Sequence, residues 1–323
     1  MIQRTRTSPL IIVVVPQMKN IEVTSMTNES KTGHIEIPQG KISYRVYQES
    51  ENSDKTPIIF IHGGPGVPLY GMENDFQTIS SERPVIFYDQ LGCGESTIKS
   101  EFESDDSLWH VERFVEELAI VRESLNLKEV HLLGTSFGAM ILAEYMLTHP
   151  KGVKSIVFSS PVLSSKLWAE DAERLKKKLP EDIYQTIIKH ESENTTDSEE
   201  YKDATNEYYK RFLCKTLHFD QILEKYTKNP NFDVYLKMWG PSEFHPTGTL
   251  KDYDVTEKLN QISAPTLFMC GRDDEARPET VQIYQSKIPG AEISVLENSA
   301  HFTCLDAKVE YYQGIADFLN RHE

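Results

Sequence analysis

Short apolar runs rich in β-branched and aromatic residues recur along the chain, each bounded by turn-forming residues. They are Ile58-Ile59-Phe60-Ile61, Val85-Ile86-Phe87-Tyr88, Val130-His131-Leu132-Leu133, Ile156-Val157-Phe158, Leu267-Phe268-Met269-Cys270 and Ile293-Ser294-Val295-Leu296. Runs apolar on both faces predict buried, parallel strands. Ahead of them, HIEIPQGKISYRVY (34–47) alternates around Gln39-Gly40, which predicts an antiparallel hairpin at a sheet edge. Between the runs the period changes to 3.6: Val111, Phe114, Val115, Leu118, Val121 and Leu125 share one stripe of a helix over 111–125. Segments 137–148 and 308–319 read as two further helices. Strands alternating with helices imply a doubly wound, mostly parallel α/β sheet.

One region breaks the alternation. From about Val162 to Leu250 no strand pattern stands out. Amphipathic pieces such as LWAEDAERLKKKL and YKDATNEYYKRFL predict a helical insertion over 162–249, with HESENTTDSEE (190–200) as a solvated loop. The expected organisation is an extension over 1–33, a core built from 34–161 and 250–323, and the insertion between them.

Composition narrows the class. The 323 residues carry a formal net charge of −16, with 39% hydrophobic and 26% charged residues. That suits a globular chain with a substantial core and argues against nucleic acid or an anionic membrane surface as partner. The four cysteines show neither C-x-x-C nor zinc spacing, so free thiols in a reducing, cytoplasmic setting are expected. The start, MIQRTRTSPLIIVVVPQ, has the arginines and short apolar run of a signal peptide. Its run, Leu10–Val15, ends at Pro16 with no A-x-A site after it, so an extra strand or loose arm is expected, secretion being the alternative.

Within this frame three motifs carry chemistry. Gly134-Thr135-Ser136-Phe137-Gly138 is a G-x-S-x-G between a predicted strand and a predicted helix. A tight strand-to-helix turn lifts the serine hydroxyl clear of the backbone, and small flanking residues let that turn close. An isolated serine N-cap would give the same letters, but the strand–turn–helix context favours a nucleophile. The helix N-terminus also sets N–H groups where an oxyanion would form. A serine nucleophile needs a base and an orienting acid. Gly271-Arg272-Asp273-Asp274-Glu275 follows a strand and offers Asp274 or its neighbour Asp273. Asn298-Ser299-Ala300-His301-Phe302 follows the next strand and offers His301. All three would meet at the carboxyl edge of the sheet. The third motif, His62-Gly63-Gly64-Pro65-Gly66, lets backbone approach a substrate, giving Gly64 N–H and Phe137 N–H as the oxyanion donors. Its spacing does not fit a phosphate-binding G-x-G-x-x-G.

Together these residues resemble the prolyl aminopeptidase (proline iminopeptidase) family of α/β-hydrolase serine peptidases. The resemblance rests on HGGPG at 62–66, YDQLGCGES at 88–96, GTSFGA at 134–139, GPSEFHPTGTLKDYD at 240–254, CGRDDEARPETV at 270–281 and NSAHF at 298–302. It covers about residue 34 to the C-terminus. It implies the α/β-hydrolase fold with a helical cap over the site, Ser136 as nucleophile, His301 as base and Asp274 as orienter, since the family's aspartate falls three residues after the glycine matched by Gly271. It also implies cap glutamates that hold a free N-terminal amine, with Glu243 in Gly-Pro-Ser-Glu-Phe and Glu207 in Asn-Glu-Tyr-Tyr in that role. An exopeptidase must reject blocked termini, and a carboxylate in a partly dry site does so. Phe137 departs from the tryptophan that many prolyl-specific members carry, which leaves the first-residue preference open between proline and other residues.

The expected activity is release of an N-terminal proline or small apolar residue from short peptides or aminoacyl amides, through an acyl-enzyme, with no metal or cofactor. The rivals are a carboxylesterase, lactonase or amino-acid amidase of the same fold, and a non-catalytic ligand-binding relative.

Overall fold

A computed structural model describes residues 31–48, 54–70 and 75–323. The expectation for Leu10–Val15 lies outside these residues. The strands are β1 (Lys31–Ile37), β2 (Gly40–Tyr47), β3 (Ile58–Ile61), β4 (Val85–Tyr88), β5 (Thr97–Ile98), β6 (Val130–Thr135), β7 (Val153–Ser159), β8 (Thr266–Gly271) and β9 (Glu292–Leu296). Around them lie α1 (Gln77–Ser80), α2 (Val111–Ser124), α3 (Phe137–Leu147), α4 (Ser165–Lys176), α5 (Glu181–Glu193), α6 (Glu199–Phe212), α7 (Phe219–Tyr226), α8 (Phe232–Met238), α9 (Pro278–Lys287), α10 (Thr303–Asp306) and α11 (Lys308–Arg321).

One sheet runs β1-β2-β4-β3-β6-β7-β8-β9, with β5 paired to β2. Pairing is antiparallel from β1 through β4 and parallel from β4 onward. The hairpin turns at Pro38-Gln39, with Ile37 opposite Gly40, and β1 begins at Lys31 rather than at residue 34. Alternate side chains of each buried strand feed opposite layers. Ile59 and Ile61 of β3 join the layer packed by α2 and α3, whereas Ile58 and Phe60 join the layer packed by α11. Helix α3 is buried almost all round, which matches its lack of a polar face.

Between β7 and β8 the chain is helical, α4 to α8, and its first helices build a core of their own from Leu175, Ile187, Tyr201, Tyr208 and Phe212. The loop expected over 190–200 is a correction: α5 continues to Glu193 and α6 starts at Glu199. Capping overrides the polar composition. Asn194 ends α5 in the left-handed conformation (φ 56°), and the Ser198 hydroxyl accepts from Tyr201 N–H. Among the described residues, no helix is long and apolar enough to cross a membrane.

Strand β3 lies between β4 and β6, so the chain's winding reverses there and opens a crevice beyond the carboxyl ends of β3 and β6. Next to this crevice, Asp89 at the end of β4 is fully buried. It accepts hydrogen bonds from both Arg45 terminal nitrogens (3.1 Å), from Glu95 N–H (2.8 Å) and from the Tyr70 hydroxyl. Removing one member of a buried ion pair strands the other charge. Asp89→Ala is therefore expected to cost about 3–5 kcal/mol in urea unfolding; a loss under about 1 kcal/mol would show that the pair is solvated.

Candidate active site

Strand β6 ends at Thr135, and Ser136 turns the chain into α3 with φ 52° and ψ −119°. A non-glycine residue at positive φ is strained, and the surrounding packing must hold it there. Ser136 N–H donates to Ser159 O (3.1 Å), and Val162 N–H to Ser136 O (3.4 Å). The flanking glycines are demanded by contact: a Cβ on Gly138 would lie 2.2 Å from Ile61 O, and one on Gly134 would lie 2.4 Å from Gly138 O. The turn can form only with small residues on both sides of the serine.

On the neighbouring strands, His301 Nδ1 lies 2.8 Å from Asp274 Oδ1. The carboxylate also accepts from Ala276 N–H (2.8 Å), Gly271 N–H (3.1 Å) and the Ser160 hydroxyl (2.7 Å). Since a carboxylate only accepts, Nδ1 carries the proton and Nε2 is left as the basic nitrogen. The Ser160 hydroxyl also lies 2.9 Å from His301 O, so it touches both the acid and the histidine loop. Gly271 permits that loop to approach: a Cβ there would lie 2.3 Å from Ser299 O. Asp273, by contrast, is exposed and pairs with Lys215 (2.6 Å). The hydrogen-bond geometry thus separates two acids that spacing alone left equivalent.

The HGGPG loop is clamped from below. Gln90 N–H donates to His62 Nε2 (3.1 Å), Gln90 Nε2 donates to His62 O (2.9 Å), and His62 Nδ1 lies 2.8 Å from Gly63 O. Burial pushes the His62 imidazole down to about 4, so it stays neutral and fills a structural role. Gly63 sits against the serine, where an added Cβ would be 3.1 Å from Ser136 Cβ.

Ser136, His301, Gly63, Gly64 and Glu243 line one cavity of about 310 Å³ whose remaining wall is mostly aromatic and aliphatic. Among the described residues the Ser136 hydroxyl has no hydrogen-bond partner; catalytic hydrogen bonds are commonly long without substrate and tighten when it binds. Phe137 is buried against Phe114 (5.4 Å, edge to face) and lies outside the cavity wall. Its difference from tryptophan therefore falls in the core beneath the turn.

Glu243 is held by its backbone. Its carbonyl accepts from the indoles of Trp168 (2.7 Å) and Trp239 (3.1 Å), and its N–H donates to the Tyr209 hydroxyl (3.2 Å). Trp168 also packs edge-on against the His301 ring. Enclosure raises the Glu243 carboxyl above its ordinary range, opposed by the His301 charge and by hydrogen bonding from Tyr235. Glu275 stands beside this group, fully buried. Burial raises it strongly, and the charges of Glu243 and Asp274 raise it further. Tyr208 is its polar neighbour, yet neither Glu275 oxygen makes a hydrogen bond of normal geometry. Among the described residues, no lysine or arginine pairs with either glutamate.

Burial works against the charged form of His301, but the Asp274 charge, the Asp274 hydrogen bond and the Glu243 charge outweigh it, and the imidazole is raised above 6.5. Glu207 is a correction: it sits on the solvent face of α6, pairs with Lys210 (2.5 Å) and does not line the cavity. Residues that the sequence did not single out are Ser160, Trp168 and Glu275. Of these only Glu275 carried a signal, as the third acid of the Asp-Asp-Glu run.

The sheet order, the serine turn and the acid–histidine pair define an α/β-hydrolase, and residues 56–308 match the alpha/beta hydrolase fold family. The chain is 45% identical over 289 residues to the proline iminopeptidase of Heyndrickxia coagulans, covering 89% of this chain and 98% of that one. It is similar to the crystal structure of a proline iminopeptidase from Mycobacterium smegmatis (TM-score 0.80, 30% identity, 90% of this chain and 98% of that one). It is also similar to VinJ (TM-score 0.82, 32% identity, 91% and 99%). The chain belongs to the proline iminopeptidase family.

The hydrogen-bond pattern separates the two aspartates experimentally. Asp274→Asn is expected to lower kcat by about 10⁴, as loss of the orienting carboxylate does in other triads. Asp273→Asn, which removes an exposed ion pair, should stay within about twofold. The reverse ranking would assign the role to Asp273.

Proposed function

We propose that this chain is a serine aminopeptidase releasing an N-terminal proline or small apolar residue from short peptides or aminoacyl amides. Ser136 Oγ attacks the carbonyl carbon and its proton passes to His301 Nε2, while Asp274 steadies the imidazolium through Nδ1–H. The oxyanion is received by the N–H groups of Gly64 and Phe137. The tetrahedral intermediate collapses, the leaving amine takes the proton from His301, and water then hydrolyses the acyl-enzyme with His301 again as base.

The observation that carries the reading is Glu243: a carboxylate that pairs with no lysine or arginine among the described residues, facing the same cavity as Ser136 and His301. A substrate ammonium supplies the missing positive charge. An ionised carboxylate in an enclosed site favours a cation over a neutral, blocked terminus. The names of the relatives support the same substrate class. The burial of all four cysteines supports a reducing, cytoplasmic setting.

The test is a panel of unblocked aminoacyl anilides, proline included, beside their N-acetyl and ester counterparts. Unblocked substrates should be cleaved, with N-acetylated ones slower by at least about 10². Glu243→Gln should lower kcat/KM on unblocked substrates by about 30-fold or more. Equal rates on blocked and unblocked substrates, or a strong preference for simple esters, would replace the aminopeptidase with an esterase or lactonase.

A further inference from the structure

Two large apolar side chains in the cavity wall remain half in water. Phe232 is 42% exposed and Leu236 52% exposed, yet both line the cavity that holds Ser136. They stand one helical turn apart on α8, at the i and i+4 positions of one face. Between them in the same wall is Tyr235, which reaches Glu243. Single exposed apolar residues are ordinary on a protein surface, but an adjacent pair at the rim of a ligand cavity marks a contact.

Helix α8 is fixed in place. Asn231 caps it by accepting from Val234 N–H (3.2 Å), and Asn231 N–H donates to Gly66 O (2.8 Å) in the HGGPG loop. Asn231 Nδ2 donates to Gly92 O (3.0 Å) in the DQLGCGES loop. Just before it, Asn229 exchanges hydrogen bonds with Gly94, N–H to O and Nδ2 to O, each at 3.0 Å. Leu69 and Thr227 form an antiparallel bridge. The helix is thus fastened to the HGGPG loop and to the loop that clamps it, and its two rim residues keep a set position relative to Ser136.

Direction along the substrate follows from the enclosure of Glu243. The terminal amine sits at Glu243, and the scissile carbonyl sits at Ser136. The chain beyond that carbonyl departs as the amine and must reach solvent, and Phe232 and Leu236 are the cavity-lining side chains that stand exposed there. We propose that Phe232 and Leu236 form the subsite for the residue following the scissile bond, and that the enzyme favours substrates with an apolar aliphatic or aromatic side chain there. This subsite rests on the aminopeptidase reading of the same cavity and adds what lies on the leaving side.

The test is kcat/KM on amidated dipeptides with proline first and glycine, serine, leucine or phenylalanine second. The wild type should favour leucine and phenylalanine over glycine by about tenfold or more, the discrimination that apolar pockets give. In the Phe232→Ser/Leu236→Ser double variant the ratio should fall to within about threefold. Val309→Ser removes a more exposed apolar side chain on α11, outside the cavity, and should leave the ratio where it was. Each single variant should take away part of the preference, so the reading does not depend on the double variant folding well. A wild type without side-chain preference, or a double variant that keeps it, overturns the subsite alone. Failure of the wild type to cleave any unblocked substrate overturns the aminopeptidase reading and the subsite with it.

Discussion

The Asp274 carboxylate is the junction on which the catalytic edge depends. It gathers hydrogen bonds from Gly271 at the end of β8, from Ala276 in the following loop, from Ser160 after β7 and from His301 after β9. Three connections widely separated in sequence are thereby fixed at one rim of the sheet. Nδ1–H of His301 is committed to that junction, so the nitrogen left for chemistry is Nε2. The close passage of Gly271 against Ser299 O allows the acid and histidine loops to come this near. The imidazole is oriented by a network that is nearly complete before any substrate arrives, which is how a triad avoids reorganisation during reaction.

Around this junction the field is negative. Asp274 and Glu243 both face His301, and their charges raise its basicity against its burial. Among the described residues no lysine or arginine pairs with Glu243 or Glu275, an arrangement that is costly in a folded protein. On the proposed reading, an ammonium bound at Glu243 would neutralise part of that field. Recognition of the free terminus and the strength of the base would then be electrostatically coupled through Trp168, which holds the Glu243 carbonyl and packs against the His301 ring.

Much of this was legible in the amino-acid order. The bounds of β3 and β4 coincide with their apolar runs because buried strands need apolar residues on both faces. The serine turn was legible because its neighbours must be small, and the structure shows which carbonyls forbid anything larger. Asp273 and Asp274 were not separable by spacing, since what distinguishes them is which side chain turns inward. Glu207 was misplaced for a related reason: α6 presents Tyr208 and Tyr209 to its core and Glu207 to solvent, one residue away. Ser160 left no trace, because its role arises from a positive-φ turn (44°) that points the hydroxyl at two other loops. The polar stretch 190–200 read as loop because composition hides capping, which orders most of it into helix.

The claim that a raised, Asp274-bound imidazole activates Ser136 is tested most directly by the pH dependence of covalent labelling with a fluorophosphonate, which needs no knowledge of the substrate. The label should appear on Ser136, with a rate that rises with pH as the imidazolium loses its proton and a midpoint above the ordinary 6.5. Labelling elsewhere, no labelling, or a rate on Ser136 that is flat from about pH 5 to 9 would contradict the account.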